Sequence, residues 1–457
     1  MWWWLLPVQT VMGASFYVYY LGGLQAQDTQ QRQYALSFVT LERLLADPRR
    51  VTSRAEATLK FVPLDLARYH LEAQTEPEPP MYVCHRVEEV RGIVGNASMD
   101  HVVLVAHVAT SVYFMFGRHC RDQFGWLLGM QWLTIEAPWV VDAKRMEAHL
   151  DNDPSRPSHR FFGVPSIHTA PYTASFRARR PRDIELLREY QASRNRSALV
   201  TQITGGHSRT KSPLRRLLRE ECARRGPAVC FSDWQAARRA VPSLKEAKGE
   251  MRQFEARLAR EVAWLPAYAA ATFCIQPFGT TPSRAALFQC LHAGGIPVIF
   301  EPYLLEAFHT LFSEQDWAVY IPVADAINDV STAVYGTLLA MPETRIASLR
   351  RVIARVAPRL QYSYPGANIS DDAYERPWRT RRRRYPRACG AQSQARGRRD
   401  DALQWTSSFL NHGAFGVPCV FRFADAWRAR VERQLDAFVD NELFAHVAGS
   451  TPAVVDF

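Results

Sequence analysis

Thr272-Phe-Cys-Ile-Gln-Pro-Phe-Gly-Thr-Thr-Pro-Ser-Arg-Ala-Ala-Leu-Phe-Gln-Cys-Leu-His-Ala-Gly-Gly-Ile-Pro-Val-Ile-Phe300 orders the rest of the chain. It opens on a short apolar run, Thr272 to Pro277, and breaks at Gly279-Thr-Thr-Pro-Ser283. It resumes as a helical stretch from Arg284 to His292, turns at Gly294-Gly295 and closes on the apolar Ile296 to Phe300. Two short apolar runs bracketing one helix predict neighbouring parallel strands joined by a crossover. Ser283 has N-cap chemistry and Gly294 the freedom a helix C-terminus needs. Strand, glycine turn and helix in that order form a generic anion-binding unit, because the helix start presents free N–H groups.

The same unit occurs once upstream. Ser197-Ala-Leu-Val-Thr-Gln-Ile203 reads as a strand, Gly205-Gly206 as its turn, and Leu214 to Cys222 as a basic amphipathic helix. Further back, Ser15 to Leu21 reads as a buried strand closing on Gly22-Gly23. Gln30 to Leu45 reads as a helix with Tyr34, Phe38, Leu41 and Leu45 on one stripe, Ala55 to Pro63 as a turn into a strand, and Asp100 to His107 as a strand buried on both faces. Asp151 to Pro181, rich in Pro, Ser, Arg and His, reads as an interdomain linker. Helices are expected over 325–339 and 345–356, and again over 424–445. The class is α/β, with two Rossmann-like units facing each other across a cleft.

With 457 residues, 47% of them hydrophobic and 22% charged, the chain suits two or three domains and excludes wholesale disorder, collagen and coiled coil. The net charge of +11 is local. Arg376 to Arg399 holds ten arginines and no acid, and without them +1 remains. A nearly neutral body is not a nucleic-acid-binding fold, and the arginine run reads as a disordered or surface segment. The eight cysteines show no CxxC and no His/Cys spacing of a zinc site, so no metal is expected; they are compatible with disulfides or with buried thiols. Three of seven asparagines, Asn96, Asn195 and Asn368, head N-x-S/T sequons, which leans toward the secretory pathway. No charged side chain precedes Asp28, so the N-terminus is apolar enough for a membrane anchor; its second half reads equally as a first strand.

The 272–300 segment resembles the signature of the exostosin family of glycosyltransferases, which runs roughly FCLxPxGDTPSSxRLFDAIxxGCIPVI. Other stretches resemble family landmarks in the same order: Phe16 to Leu21 (YVYDLP in the family), Leu41 to Leu45 with Arg50, Phe61-Val-Pro63, Asp100-His101 with His107, and Asp316-Trp317 with Ile321-Pro322. The resemblance covers about residues 15–345. It implies a GT-B fold, inversion at the anomeric carbon and synthesis of polysaccharide or proteoglycan chains in the Golgi, from a type II membrane position with the anchor within 1–27. The domains it implies are an apolar N-terminal segment (1–14), an acceptor domain with linker (15–182) and a nucleotide-sugar domain (183–357). A basic segment (358–423) and a C-terminal helix and tail (424–457) follow.

Displacing a nucleoside diphosphate requires charge stabilisation on the leaving phosphates and a base near the acceptor hydroxyl. One candidate donor cradle is Gly205, Gly206, Arg209, Lys211 and Arg215. A second is Gly279, Thr280, Thr281, Ser283 and Arg284, with Gln289 toward the ribose. His107, at the end of a buried strand, is the candidate base, with Asp100 a second catalytic candidate. The UDP-sugar is a substrate, so no cofactor is expected; the other expected partners are a glycan acceptor, the Golgi membrane and a partner transferase.

The signature is also altered. Thr280 and Gln289 replace acids, Ala286 an arginine, Gly295 a cysteine, and Val108 an aspartate that follows the family histidine. Arg284 lies two positions before Ala286, about 200° away if both are helical. These losses set two functions side by side: a UDP-sugar-dependent glycosyltransferase, or a catalytically impaired member of the fold that binds glycan or partners an active transferase.

Overall fold

The computed structural model describes, apart from single positions, residues 15–22, 36–66, 79–105, 126–134, 176–203, 213–277, 284–300 and 317–362. It adds Tyr69, Glu72, Gln123, Ile167–Thr169, Tyr172, Leu304 and Ala367. The arginine run, the helix expected over 424–445 and the N-terminal segment 1–14 lie outside the described residues.

Two five-stranded sheets, parallel throughout, make up the described molecule. The first holds β1 (Phe16–Val18), β2 (Leu59–Val62), β3 (His101–Val105), β4 (Gln131–Thr134) and β5 (Ile167–Thr169) in chain order. Helix α1 (Leu36–Ala46) shares a core with Phe16, Phe61, Val102, Leu104 and Leu133. Helix α2 (Pro79–Val94) lines up Val83, Val87, Val90 and Val94 at helical spacing and packs them with Val62, Val103 and Trp132. Alternate residues of β2 and β3 thus point to opposite covered faces, which is why these strands read as unbroken apolar runs.

The second sheet is ordered β10-β9-β8-β6-β7, with β6 (Ala198–Thr201), β7 (Cys230–Phe231), β8 (Ala271–Gln276), β9 (Ile296–Ile299) and β10 (Val319–Tyr320). The parallel pairing expected between the two arms of the 272–300 segment is present, with Phe273 opposite Ile296 and Gln276 opposite Ile299. Among the helices around it are α3 (Arg182–Ser193), α4 (Pro213–Arg225), α5 (Trp234–Arg239), α6 (Glu250–Glu261) and α7 (Leu265–Ala269). They precede α8 (Ala285–His292), whose every residue is buried. Full burial of Leu287, Phe288 and Leu291 contributes about 1.5–3 kcal/mol each.

Two expectations change. Asp151 to Pro181 is not only a linker: it contributes β5, pairing with β4 through Trp132 opposite Ile167, and buries Tyr172, Phe176 and Ala178. A three-residue edge strand needs too little alternation to stand out from a polar, proline-rich context. In α1 the buried stripe is Leu36, Val39, Leu41 and Leu44, whereas Leu45 is exposed, so the expected stripe was out of phase.

Candidate active site

The order of the second sheet, read from β7, is 2-1-3-4-5. The strand order therefore reverses between β6 and β8, the place where open parallel sheets form their ligand crevice, beyond the strands' carboxyl ends. Among the described strands the first sheet has no such reversal. Thr201 of β6 lies opposite Cys274 of β8. The segments carrying Gly205, Gly206, Arg209 and Lys211, and Gly279, Thr280, Thr281 and Ser283, thus follow in sequence two adjacent strands, about 4.8 Å apart. The turn residues themselves lie outside the described residues.

Arg284 is described, and it occupies the N-cap position of α8 with extended backbone, φ −146° and ψ 148°. The helical angle that separates it from Ala286 does not apply. Its guanidinium bridges the two chain segments just past the ends of β6 and β8, donating to Ile203 O at 3.3 Å and to Pro277 O at 3.4 Å. Burial lowers its pKa. Arg215 sits in the first turn of α4, the helix that follows the β6 turn. Its pKa falls to about 10, first through burial and then through the positive charges of Arg284 and Arg219. Burial lowers both guanidiniums, and Arg284 lowers Arg215 further, so two buried cations stand close together where the chain leaves β6 and β8.

Ala286 and Gln289 face inward. Ala286 is 2% exposed among Cys274, Tyr268 and Cys290, and its carbonyl accepts from Gln276 Nε2 at 3.5 Å. An arginine at 286 would enter that apolar cluster in this backbone. Gln289 is buried in the same helix.

The far end of α8 is fixed by a different set of contacts. Gly294 has φ +71°, and the amides of Gly294 and Gly295 donate to Leu291 O and Cys290 O, the paired bonds of a Schellman turn. Arg196 donates to Ala293 O at 3.0 Å and Gly294 O at 2.8 Å, a cation on the negative end of the helix. Gln191 Nε2 adds a bond to His292 O at 3.0 Å.

In the first sheet, Asp100 and His107 part company. Asp100 immediately precedes β3, at its amino end, where its carboxylate pairs with Lys60 and accepts from Ser98 and from His101 Nδ1. Those bonds hold its pKa down against burial, which acts to raise it. His101 is buried, and its Nε2 meets the Tyr19 hydroxyl at 3.0 Å. The five residues of β3 then carry the chain about 16 Å toward the carboxyl edge. Asp100 is thus a clasp between β2 and β3 on the edge opposite to where parallel sheets bind ligands. His107, two positions after the end of β3 in sequence, lies outside the described residues.

Sequence reasoning left open whether the cysteines pair. Cys222 is bonded to Cys230 and Cys274 to Cys290, and Cys84 is disulfide-bonded as well. The eight-residue separation of the first pair, from the end of α4 to β7, was the available signal.

Two parallel sheets, the second reversing its strand order around the 272–300 segment, fit a GT-B glycosyltransferase fold, and the chain belongs to the exostosin GT47 family: the Exostosin GT47 domain matches residues 12–334. Among curated relatives, a probable xyloglucan galactosyltransferase of Arabidopsis thaliana, GT19, is 26% identical over 206 residues, 44% of each chain. Xyloglucan-specific galacturonosyltransferase 1 of the same plant is 23% identical over 306 residues, 64% of this chain and 40% of that one. The chain spans less than half the length of these relatives. A solved structure, the pneumococcal O-GlcNAc transferase GtfA in complex with UDP and GlcNAc, is matched only slightly. Its TM-score is 0.26, with 12% identity over 62% of this chain and 57% of that one.

Proposed function

We propose that this protein transfers a sugar from a UDP-sugar to a hydroxyl of a polysaccharide or glycan acceptor, with inversion at the anomeric carbon. The observation that carries the reading is Arg284 bridging the ends of β6 and β8 beside Arg215, at the reversal of the second sheet. As the acceptor oxygen bonds to the anomeric carbon, the bond from that carbon to the diphosphate oxygen breaks and negative charge grows on UDP. Arg284 and Arg215, together with the N–H groups at the start of α4 and the glycine turns, stabilise that charge. His107, two positions after β3 in sequence, is assigned the hydroxyl proton. Asp100 has no part in this step.

The likeness to xyloglucan galactosyl- and galacturonosyltransferases supports a galactosyl or galacturonosyl donor and a xyloglucan-type acceptor. Five described cysteines in disulfides and exposed sequons at Asn96 and Asn195 support folding in the secretory pathway and residence in the Golgi, held at the membrane by the apolar N-terminal segment. Among the described residues no helix is long and apolar enough to cross a membrane. A second reading, a glycan-binding partner of an active transferase, is favoured by one feature: a neutral Gln289 where the family carries an acid. Titration calorimetry with UDP tests the site itself. Binding that weakens in Arg215→Ala is expected, and no heat of binding in the unmodified chain would refute the donor site.

A further inference from the structure

The Cys274–Cys290 disulfide joins β8 to α8 in the interior of the second domain, with both cysteines fully buried. Gly295 lies against it. A Cβ at position 295 would overlap Cys274 Sγ, lie 3.0 Å from Cys290 Sγ and stand 3.4 Å from Cys290 O. Neither sulfur can swing away while bonded to the other, so the disulfide demands glycine at 295. The backbone of Gly295 is also fixed, because its amide closes the helix on Cys290 O at 2.9 Å.

Set without gaps on residues 273–299, the signature FCLxPxGDTPSSxRLFDAIxxGCIPVI differs from this chain twice at this spot. It has alanine where Cys290 stands and cysteine where Gly295 stands. The sulfur stands at 290 in this chain and at 295 in the pattern, with a cysteine at 274 in both. A 274–290 disulfide and a side chain at 295 exclude each other sterically, because a Cβ at 295 would overlap Cys274 Sγ and lie 3.0 Å from Cys290 Sγ.

We propose that the Cys274–Cys290 disulfide, made possible by Gly295, is the positioning element that sets α8 on β8 and thereby holds Arg284 across the mouth of the crevice. That Arg284 meets a phosphate there rests on the donor-site reading above; the disulfide exchange does not. The physical link is short. Arg284 is the N-cap of α8, the disulfide anchors the helix six residues on, and Arg196 and Gln191 hold its carboxyl end. A helix of eight residues fixed through its sixth residue and its carboxyl end has little freedom to slide, so the guanidinium at its start is preorganised.

The test uses the full chain secreted from eukaryotic cells, with non-reducing peptide mapping, hydrogen exchange over Ala285–His292 and UDP calorimetry. In the unmodified chain a 274–290 cross-linked peptide is expected. Cys290→Ala is expected to speed exchange across α8 and to weaken UDP binding by about tenfold, the order that follows from displacing a binding group by a fraction of an ångström to 1 Å. The relocated pair, Cys290→Ala with Gly295→Cys, is refolded in a glutathione buffer whose oxidised form takes the two electrons and two protons of the thiols. It is expected to form a 274–295 cross-link and to recover both protection and affinity to within about threefold. Gly295→Ala alone is expected to lose the 274–290 cross-link. Absence of that cross-link in the unmodified chain, unchanged exchange in Cys290→Ala, or no 274–295 bond in the relocated pair would each overturn the proposal. If no variant binds UDP, the donor reading fails, and the exchange and mapping results still decide the role of the disulfide.

Discussion

Replacing Arg284 by methionine separates a ligand-binding arginine from a structural one, because the two roles have opposite effects on stability and affinity. In the free protein its two hydrogen bonds are long, 3.3 and 3.4 Å, which places each at the weak end of the usual net contribution of about 0.5–1.5 kcal/mol. Against them stands the cost of burying a guanidinium, which lowers the pKa of Arg284, and the repulsion it exerts on Arg215, whose pKa it lowers further. The terms nearly cancel. Arg284→Met should therefore shift the stability of the free protein by less than about 1 kcal/mol, or less than about 4 °C in Tm. UDP, by contrast, loses a charge-assisted contact worth about 1.5–3 kcal/mol, so its Kd should rise about tenfold to a hundredfold. Arg284→Lys keeps the charge but not the planar fork and should fall between. Thermal melts and calorimetry on the same samples decide the matter. A variant destabilised by more than about 2 kcal/mol that still binds UDP as the unmodified chain does would make Arg284 a bracket between strands, refuting the reasoning.

Ala286→Arg, which restores the family residue by sequence, should lower stability by about 3 kcal/mol or more and not tighten UDP binding, since residue 286 points into the cluster of Tyr268, Cys274 and Cys290; chemical denaturation measures it. Asp100→Asn should loosen the clasp with Lys60 and lower stability, while leaving the kcat of any transfer unchanged. His292 is fully buried, and burial holds its pKa down at about 4. Between pH 6.5 and about 4 the unfolded chain binds a proton that the folded one refuses. Its contribution is thus complete above 6.5 and is lost on acidification by up to about 3 kcal/mol; His292→Leu should flatten that part of a stability profile measured by denaturant melts. Expressed through the secretory pathway, the chain should carry glycan at the exposed Asn195, seen as a mobility shift that Asn195→Gln removes.

The 272–300 segment was readable because its strands are buried on both faces and its helix throughout, so that apolar runs, one glycine turn and one Schellman pair punctuate it. The same logic fails for β4 and β5, which are four and three residues long, and for β7, which is two. Pairing with a longer neighbour stabilises such strands, and their own sequence carries almost no period. Helix α2 was legible in retrospect through Val83, Val87, Val90 and Val94, obscured by its start at Pro79-Pro80. At the site, sequence spacing located Arg284 but placed it wrongly on the helix, because the residue is extended and the helix begins one position later. Asp100 drew attention as an acid next to a histidine; strand direction, which sequence does not display at a single residue, puts it on the amino edge. The exchange of sulfur between positions 295 and 290 could be noticed in sequence only as a missing cysteine, since the clash that explains it is three-dimensional.

The central claim is that the crevice at the reversal of the second sheet holds a UDP-sugar and that the sugar is transferred. Release of UDP, followed over a panel of UDP-sugars with and without xyloglucan and other polysaccharide acceptors, measures it most directly. Release from UDP-galactose or UDP-galacturonic acid that rises when acceptor is added, and that falls about tenfold or more in Arg284→Met, is the predicted result. UDP release indistinguishable from a protein-free control with every donor, from a chain that also shows no heat of UDP binding, would contradict it.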